Sequence, residues 1–188
     1  AQEPTLLVGS PMYTALSTWQ FNQQQEARPQ HRPSGEKAGL VHLAWMCKLD
    51  AKQAAAGRLI LHEHPGNATS WIEQCVFEVL QLRGVARITA DQCQLRAEVP
   101  SGPDQGQPVR KATGFMSIAP ELLRALDKRC HGQGVCSRKK GGKHATIQGT
   151  ITRGTAIYSD KLCRAMIRGM AAQLSADDMV KPGEVGFN

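Results

Sequence analysis

Leu6-Leu7-Val8-Gly9-Ser10-Pro11-Met12-Tyr13-Thr14-Ala15-Leu16-Ser17 opens on a short apolar run that Gly-Ser-Pro closes. Bounded by such turn formers, Thr5 to Val8 reads as a buried strand that stops at a loop. A second apolar run, Gly57-Arg58-Leu59-Ile60-Leu61-His62-Glu63-His64-Pro65, ends in a polar triplet. Its strand is expected at Leu59 to Leu61. Between the two runs, Leu40, Leu43, Ala44, Met46, Cys47 and Ala51 recur at helical spacing over Leu40 to Ala56, and Gly57 stops the helix. Alternation of strand and helix predicts an α/β fold.

The same reading extends along the chain. Gln20 to Gly35 carries five Gln and two Pro and reads as a polar loop insertion, bounded at residues 20–36. Ser70 to Leu82 is expected as a helix capped by Ser70 with Glu73 three residues on, putting Ile72, Val76, Val79 and Leu80 on one face. Strands are expected at Val85 to Thr89, Gln94 to Val99, Lys111 to Ser117 and Thr146 to Thr152. Two more helices are expected, Pro120 to Arg129 with Leu122, Leu123 and Leu126 as its stripe, and Ser159 to Leu174 capped by Ser159 or Asp160. Residues 177–188 lack any period and read as a tail.

The frame of the first loop resembles that of cytosine-5 DNA methyltransferases, in which a buried strand ends in Gly-x-Pro-Pro-Cys followed by a polar-x-Phe-Ser run. Gly9, Pro11 and Ser17 match, Leu16 replaces the Phe, and Met12 and Tyr13 stand where Pro and Cys would be. His62-Glu63-His64 resembles the same family's Glu-Asn-Val or Glu-Asn-Pro strand end, with Glu63 as the carboxylate that holds the cytosine ring and helps protonate N3. Asp91-Gln92-Cys93-Gln94-Leu95-Arg96 to Val109-Arg110-Lys111-Ala112-Thr113-Gly114-Phe115 is similar to its Gln-x-Arg-x-Arg strand. Pro11, Trp71 and Thr113 also fit methyltransferase-like segments associated with retroelement polyproteins.

The resemblance implies the C-terminal part of a class I methyltransferase fold, a three-layer, mostly parallel sheet with helices on both faces. It implies a family-equivalent catalytic pair, Tyr13 and Glu63, with the nucleophilic thiol replaced. A Gly-rich cofactor turn and an acidic strand end are expected before the Pro-Cys loop. Only eight residues precede Gly9 and no Phe-x-Gly-x-Gly turn follows, so S-adenosylmethionine is expected only if a partner chain supplies the missing half. The reading is a degenerate, non-catalytic domain with residual nucleic-acid binding. The alternatives are a structural subunit recruited into a larger protein assembly and a methyltransferase completed by a partner chain.

Composition bounds these readings. With 188 residues and 41% hydrophobic content, one α/β domain over residues 1–176 is the simplest count. No apolar run reaches the roughly twenty residues of a membrane span. No charged-then-apolar leader opens the chain, and its six Cys lack the dense spacing of a disulfide scaffold, so an intracellular, reducing compartment is expected.

The net charge of +7 concentrates in a basic, Gly-rich loop over residues 130–144 and its approaches. Arg110, Lys111, Arg138, Lys139, Lys140 and Lys143 are the candidate phosphate contacts, with an exposed, solvated loop as the alternative. Aromatic residues make up 5% of the chain, too few for a base-stacking platform. Cys130, Cys136 and His144 are donor types that zinc accepts, but no Cys-x-x-Cys knuckle pairs them, and no metal is assigned. Cys47 and Cys163 fall on apolar helix faces and read as inert.

Overall fold

The computed structural model describes residues 3–11, 32–139, 142–147 and 156–179, with side chains described from residue 37 onward in the first helix. The chain is α/β. Its strands are β1 (Leu6–Gly9), β2 (Leu59–Pro65), β3 (Ala86–Asp91) and β4 (Ala112–Ser117). Its α-helices, among the described residues, are α1 (Arg32–Ala55), α2 (Gln74–Leu80), α3 (Pro120–Leu126) and α4 (Asp160–Ala176).

The strands form one open sheet in the order β1-β2-β4-β3. β1 and β2 run parallel, with Gly9 opposite His62, whereas β4 lies antiparallel to β2, with Phe115 opposite Glu63. The sheet is therefore mixed, and the mostly parallel arrangement expected from sequence is corrected on this point. Antiparallel β4 inserts between strands that precede it in the chain, an order that no local pattern encodes.

Contacts divide the chain into two compact units, Ala1–Ile88 with Thr113–Ala119, and Thr89–Ala112 with Pro120–Asn188. In the first, α1 and α2 cover the sheet through Leu43, Cys47, Ala54, Ile60, Trp71, Val76, Val79 and Met116. Trp71 lies so close to β4 that a Cβ on Gly114 would fall 2.5 Å from its Cζ2 atom, so only glycine admits the ring there. Gly57, at φ +71°, ends the first helix as expected. In the second unit α3 and α4 pack closely at Gly169, whose added Cβ would lie 2.8 Å from Leu122 Cα. Ser159 caps α4, its hydroxyl accepting from Leu162 N at 3.2 Å.

Several expectations are corrected. The helix α1 begins at Arg32, inside the expected polar insertion, because Pro33 falls in its first turn, where a missing N–H costs nothing. The remainder of that insertion lies outside the described residues. Ser70 caps no helix: Thr69–Ile72 is a 3-10 turn, Glu73 precedes α2 without a side-chain cap, and Ile72 is 84% exposed. Gln94 to Val99 is not a strand, since Gln92–Leu95 forms a 3-10 turn that Arg96 ends in the left-handed region at φ 61°. Thr146 and Ile147 belong to no regular element, and the rest of that expected strand lies outside the described residues.

Candidate functional site

The parallel register brings the first loop to the His62-Glu63-His64 triplet. Ser10, one residue beyond the end of β1, donates from Oγ to Glu63 Oε2 at 2.7 Å. Glu63 is only 4% exposed, so this contact satisfies a carboxylate withdrawn from water. Successive residues of a strand face opposite ways, and the rings of His62 and His64 accordingly meet on one side, 5.8 Å apart edge to face. The triplet thus offers no common point to one ion. Tyr13 lies outside the described residues.

His64 is fully buried and held as a neutral ring. Its Nε2 donates to the Pro11 carbonyl at 3.0 Å, which leaves Nδ1 to accept from the Ser70 hydroxyl. Burial lowers its pKa, the Pro11 carbonyl opposes that and His62 adds to it, for a value of about 4. Ser70 lies inside the 3-10 turn Thr69–Ile72 rather than ahead of a helix, so its hydroxyl serves His64 and caps nothing.

His62 is oriented from α1. Asp50 Oδ2 accepts from its Nδ1 at 2.7 Å, and both side chains have no exposure. Asp50 Oδ1 and His62 Nε2 have no hydrogen-bond partner among the described residues. Edge-to-face contact with Trp71, at 5.8 Å between ring centroids, closes one side of the imidazole. A carboxylate behind an imidazole fixes the ring and its tautomer, the arrangement used to orient catalytic or metal-bound histidines. No hydroxyl or thiol stands at Nε2 among the described residues.

Asp50 escaped sequence reasoning although a signal for it existed. It sits in the buried stripe Leu43, Met46, Cys47 and Ala54 of α1, where an acid has no reason to be unless it has a partner. In the same stripe, burial pushes the Cys47 thiol well above its ordinary value, with Cys75, Asp50 and Glu78 adding to the effect. Cys47 is buried, and Cys163 is half-buried on α4.

Several cations of the basic loop and its approaches are held by internal acceptors. Arg138 donates to the Cys93 carbonyl at 2.5 Å and pairs with Glu98 at 2.7 Å, and Lys139 reaches the Gly106 carbonyl at 2.8 Å. Arg110 and Arg129 each lie 3.5 Å from buried Asp91, whose other contact is the Cys130 N–H at 2.8 Å. Lys111 is half-buried, Lys143 is exposed and paired through its backbone with Val135, and Lys140 lies outside the described residues.

That loop brings Cys130, Cys136 and His144 together, and adds Cys93, which sequence reasoning left out. One donor atom from each of the four residues lies within 4.8 Å of the others. Burial pushes the Cys93 thiol up to about 12. At Cys130 burial acts in the same direction, but hydrogen bonds from Ser137, the Gly132 backbone and Cys93 overcome it and leave the thiol at about 6. No signal near Cys93 announces the partnership, because its three companions follow only after β4 and α3. No protein-family model, curated protein or solved structure matches the chain.

Proposed function

We propose that this chain is a catalytically degenerate, cytosine-5 methyltransferase-like domain that binds nucleic acid without modifying it. The observation that carries the reading is the Ser10 to Glu63 hydrogen bond at the ends of two adjacent parallel strands. The resemblance implies a nucleophile loop lying against a base-binding glutamate, and that juxtaposition supports it. In an active relative the thiolate adds to carbon 6 of a cytosine flipped into the pocket. In the sequence Tyr13 takes the place of that thiol, and phenols, with an ordinary pKa near 10, are poor nucleophiles at neutral pH. Glu63 is occupied by Ser10 and nearly buried, so the carboxylate serves the protein rather than a base.

The support from the fold is the coarser one, an open α/β sheet whose first two strands run parallel with a helix between them. Among the described residues no Gly-rich turn follows a buried strand to seat S-adenosylmethionine. Binding is left to exposed cations of the second unit, Lys128, Lys139 and Lys143. A structural subunit is the second reading, favoured by the commitment of Arg110, Arg129 and Arg138 to internal acceptors.

Catalytic degeneracy is tested with a duplex containing 5-fluorocytosine in the presence of S-adenosylmethionine, since fluorine at carbon 5 blocks release of a covalent adduct. No adduct should survive a denaturing gel. An adduct mapping to Tyr13 or to any Cys would overturn the reading.

A further inference from the structure

We propose that Cys93, Cys130, Cys136 and His144 form a structural zinc site of the three-thiolate, one-imidazole type. Four donors is the number a closed tetrahedral zinc site takes. Zinc–sulfur bonds of about 2.3 Å and zinc–nitrogen bonds of about 2.0 Å set ligand atoms roughly 3.5–3.8 Å apart in a tetrahedron. Cys130 Sγ and His144 Nε2 already stand at 3.5 Å, and the whole set lies within 4.8 Å, so closure needs only small side-chain movements.

The backbone holds the donors in place before any ion arrives. Cys136 N donates to the Gly142 carbonyl at 2.8 Å, and Val135 bridges Lys143 in antiparallel fashion, which sets Cys136 beside His144. Cys130 is fixed by its N–H to Asp91, and Cys93 by the 3-10 turn Gln92–Leu95. The turn between Cys130 and Cys136 depends on Gly132, where a Cβ would fall 1.6 Å from the Val135 carbonyl oxygen.

Outer contacts also match a metal–thiolate centre. Ser137 N and Oγ donate to Cys130 Sγ at 3.4 and 3.5 Å, and Gln94 Nε2 lies 3.6 Å from both Cys93 Sγ and Cys136 Sγ. Such donors stabilise sulfur that carries charge. Three thiolates and one neutral imidazole around zinc leave a net charge of −1 at the centre, next to which Arg138 and Arg110 hold the Cys93 and Cys130 carbonyls.

The surroundings explain what the metal is for. Among the described residues the three cysteines form a buried cluster of their own with no aliphatic side chain in it. Three thiols are a thin core, and small irregular segments ordinarily need a metal or disulfides to hold. All six cysteines are free.

The test uses the full chain, purified under a non-chelating reductant. One equivalent of zinc by mass spectrometry of the metal is expected, together with intense tetrahedral cobalt(II) bands and thiolate-to-cobalt charge transfer after exchange. Cys93→Ser and Cys136→Ser should each weaken zinc binding, read by competition with a chromophoric chelator, by more than about 100-fold. Cys163→Ser should leave it unchanged. Because the variants can fail to fold, the cobalt spectrum of the wild-type chain decides independently. Zinc below a tenth of an equivalent after loading, an octahedral cobalt spectrum, or a Cys93→Ser chain that folds and binds zinc as tightly as wild type would each overturn the assignment.

Discussion

Replacing Asp50 by Ala is expected to lower the stability of the chain by about 3 kcal/mol, a large part of the ordinary margin of 5–15 kcal/mol. The variant leaves His62 fully buried with neither ring nitrogen bonded, because Nε2 already lacks a partner among the described residues. Stranding a buried polar group costs about 1–3 kcal/mol, and breaking a buried pair costs more. Asp50→Asn keeps an oxygen for Nδ1 and should recover most of the loss. Denaturant midpoints of the three chains decide it. An Asp50→Ala chain within about 0.5 kcal/mol of wild type, the range of an ordinary surface substitution, would show that the pair contributes nothing.

Acid is expected to unfold the chain through His64. In the folded state its pKa is about 4 against an ordinary value of 6.5. Between those values the unfolded chain binds a proton that the folded chain refuses, so stability is flat above pH 6.5 and falls as the pH drops toward 4. At 1.36 kcal/mol per pKa unit, the loss at the bottom of the window is on the order of 3 kcal/mol. The Pro11 carbonyl, the Ser70 hydroxyl, His62 and Trp71 all lie against the ring, and none of these four carries a negative charge. His64→Gln should flatten the profile over that window. If the stabilities of the two chains run parallel from pH 7 to 4, burial of His64 is not what makes the fold acid-sensitive.

The parts of the fold that are written locally were legible. Both parallel strands announce themselves as apolar runs ended by Gly or Pro, and α3 and α4 by their stripes and, for α4, the Ser159 cap. What failed depends on partners distant in sequence. Ser70-x-x-Glu73 has the letters of a capping box, but Ser70 falls inside a 3-10 turn and the helix starts only after Glu73. Gln94 to Val99 has the composition of a strand, yet Arg96 turns the chain through a left-handed conformation.

The candidate sites follow the same division. Glu63 beside the first loop was readable because both lie at the ends of recognisable strands. Arg138 looks like a phosphate contact until Glu98 and the Cys93 carbonyl are found on it. Cys130, Cys136 and His144 were visible as donors. Without Cys93 they lacked the fourth ligand that turns scattered residues into a centre.

Salt dependence of nucleic-acid binding tests the central reading most directly. Counterion release gives a log–log slope of about −0.9 for each phosphate contact on duplex DNA. Lys128, Lys139 and Lys143 should therefore contribute about three units of slope, and replacing all three by Ala should remove it while the fold survives, since among the described residues only the Lys139 side chain donates to an internal acceptor, the Gly106 carbonyl. Wild-type binding that weakens steeply with salt, and loses that slope in the triple variant, is the predicted result. An absence of binding to duplex or single strands at low salt, or binding whose slope the triple variant leaves unchanged, would contradict the account and favour the structural-subunit reading.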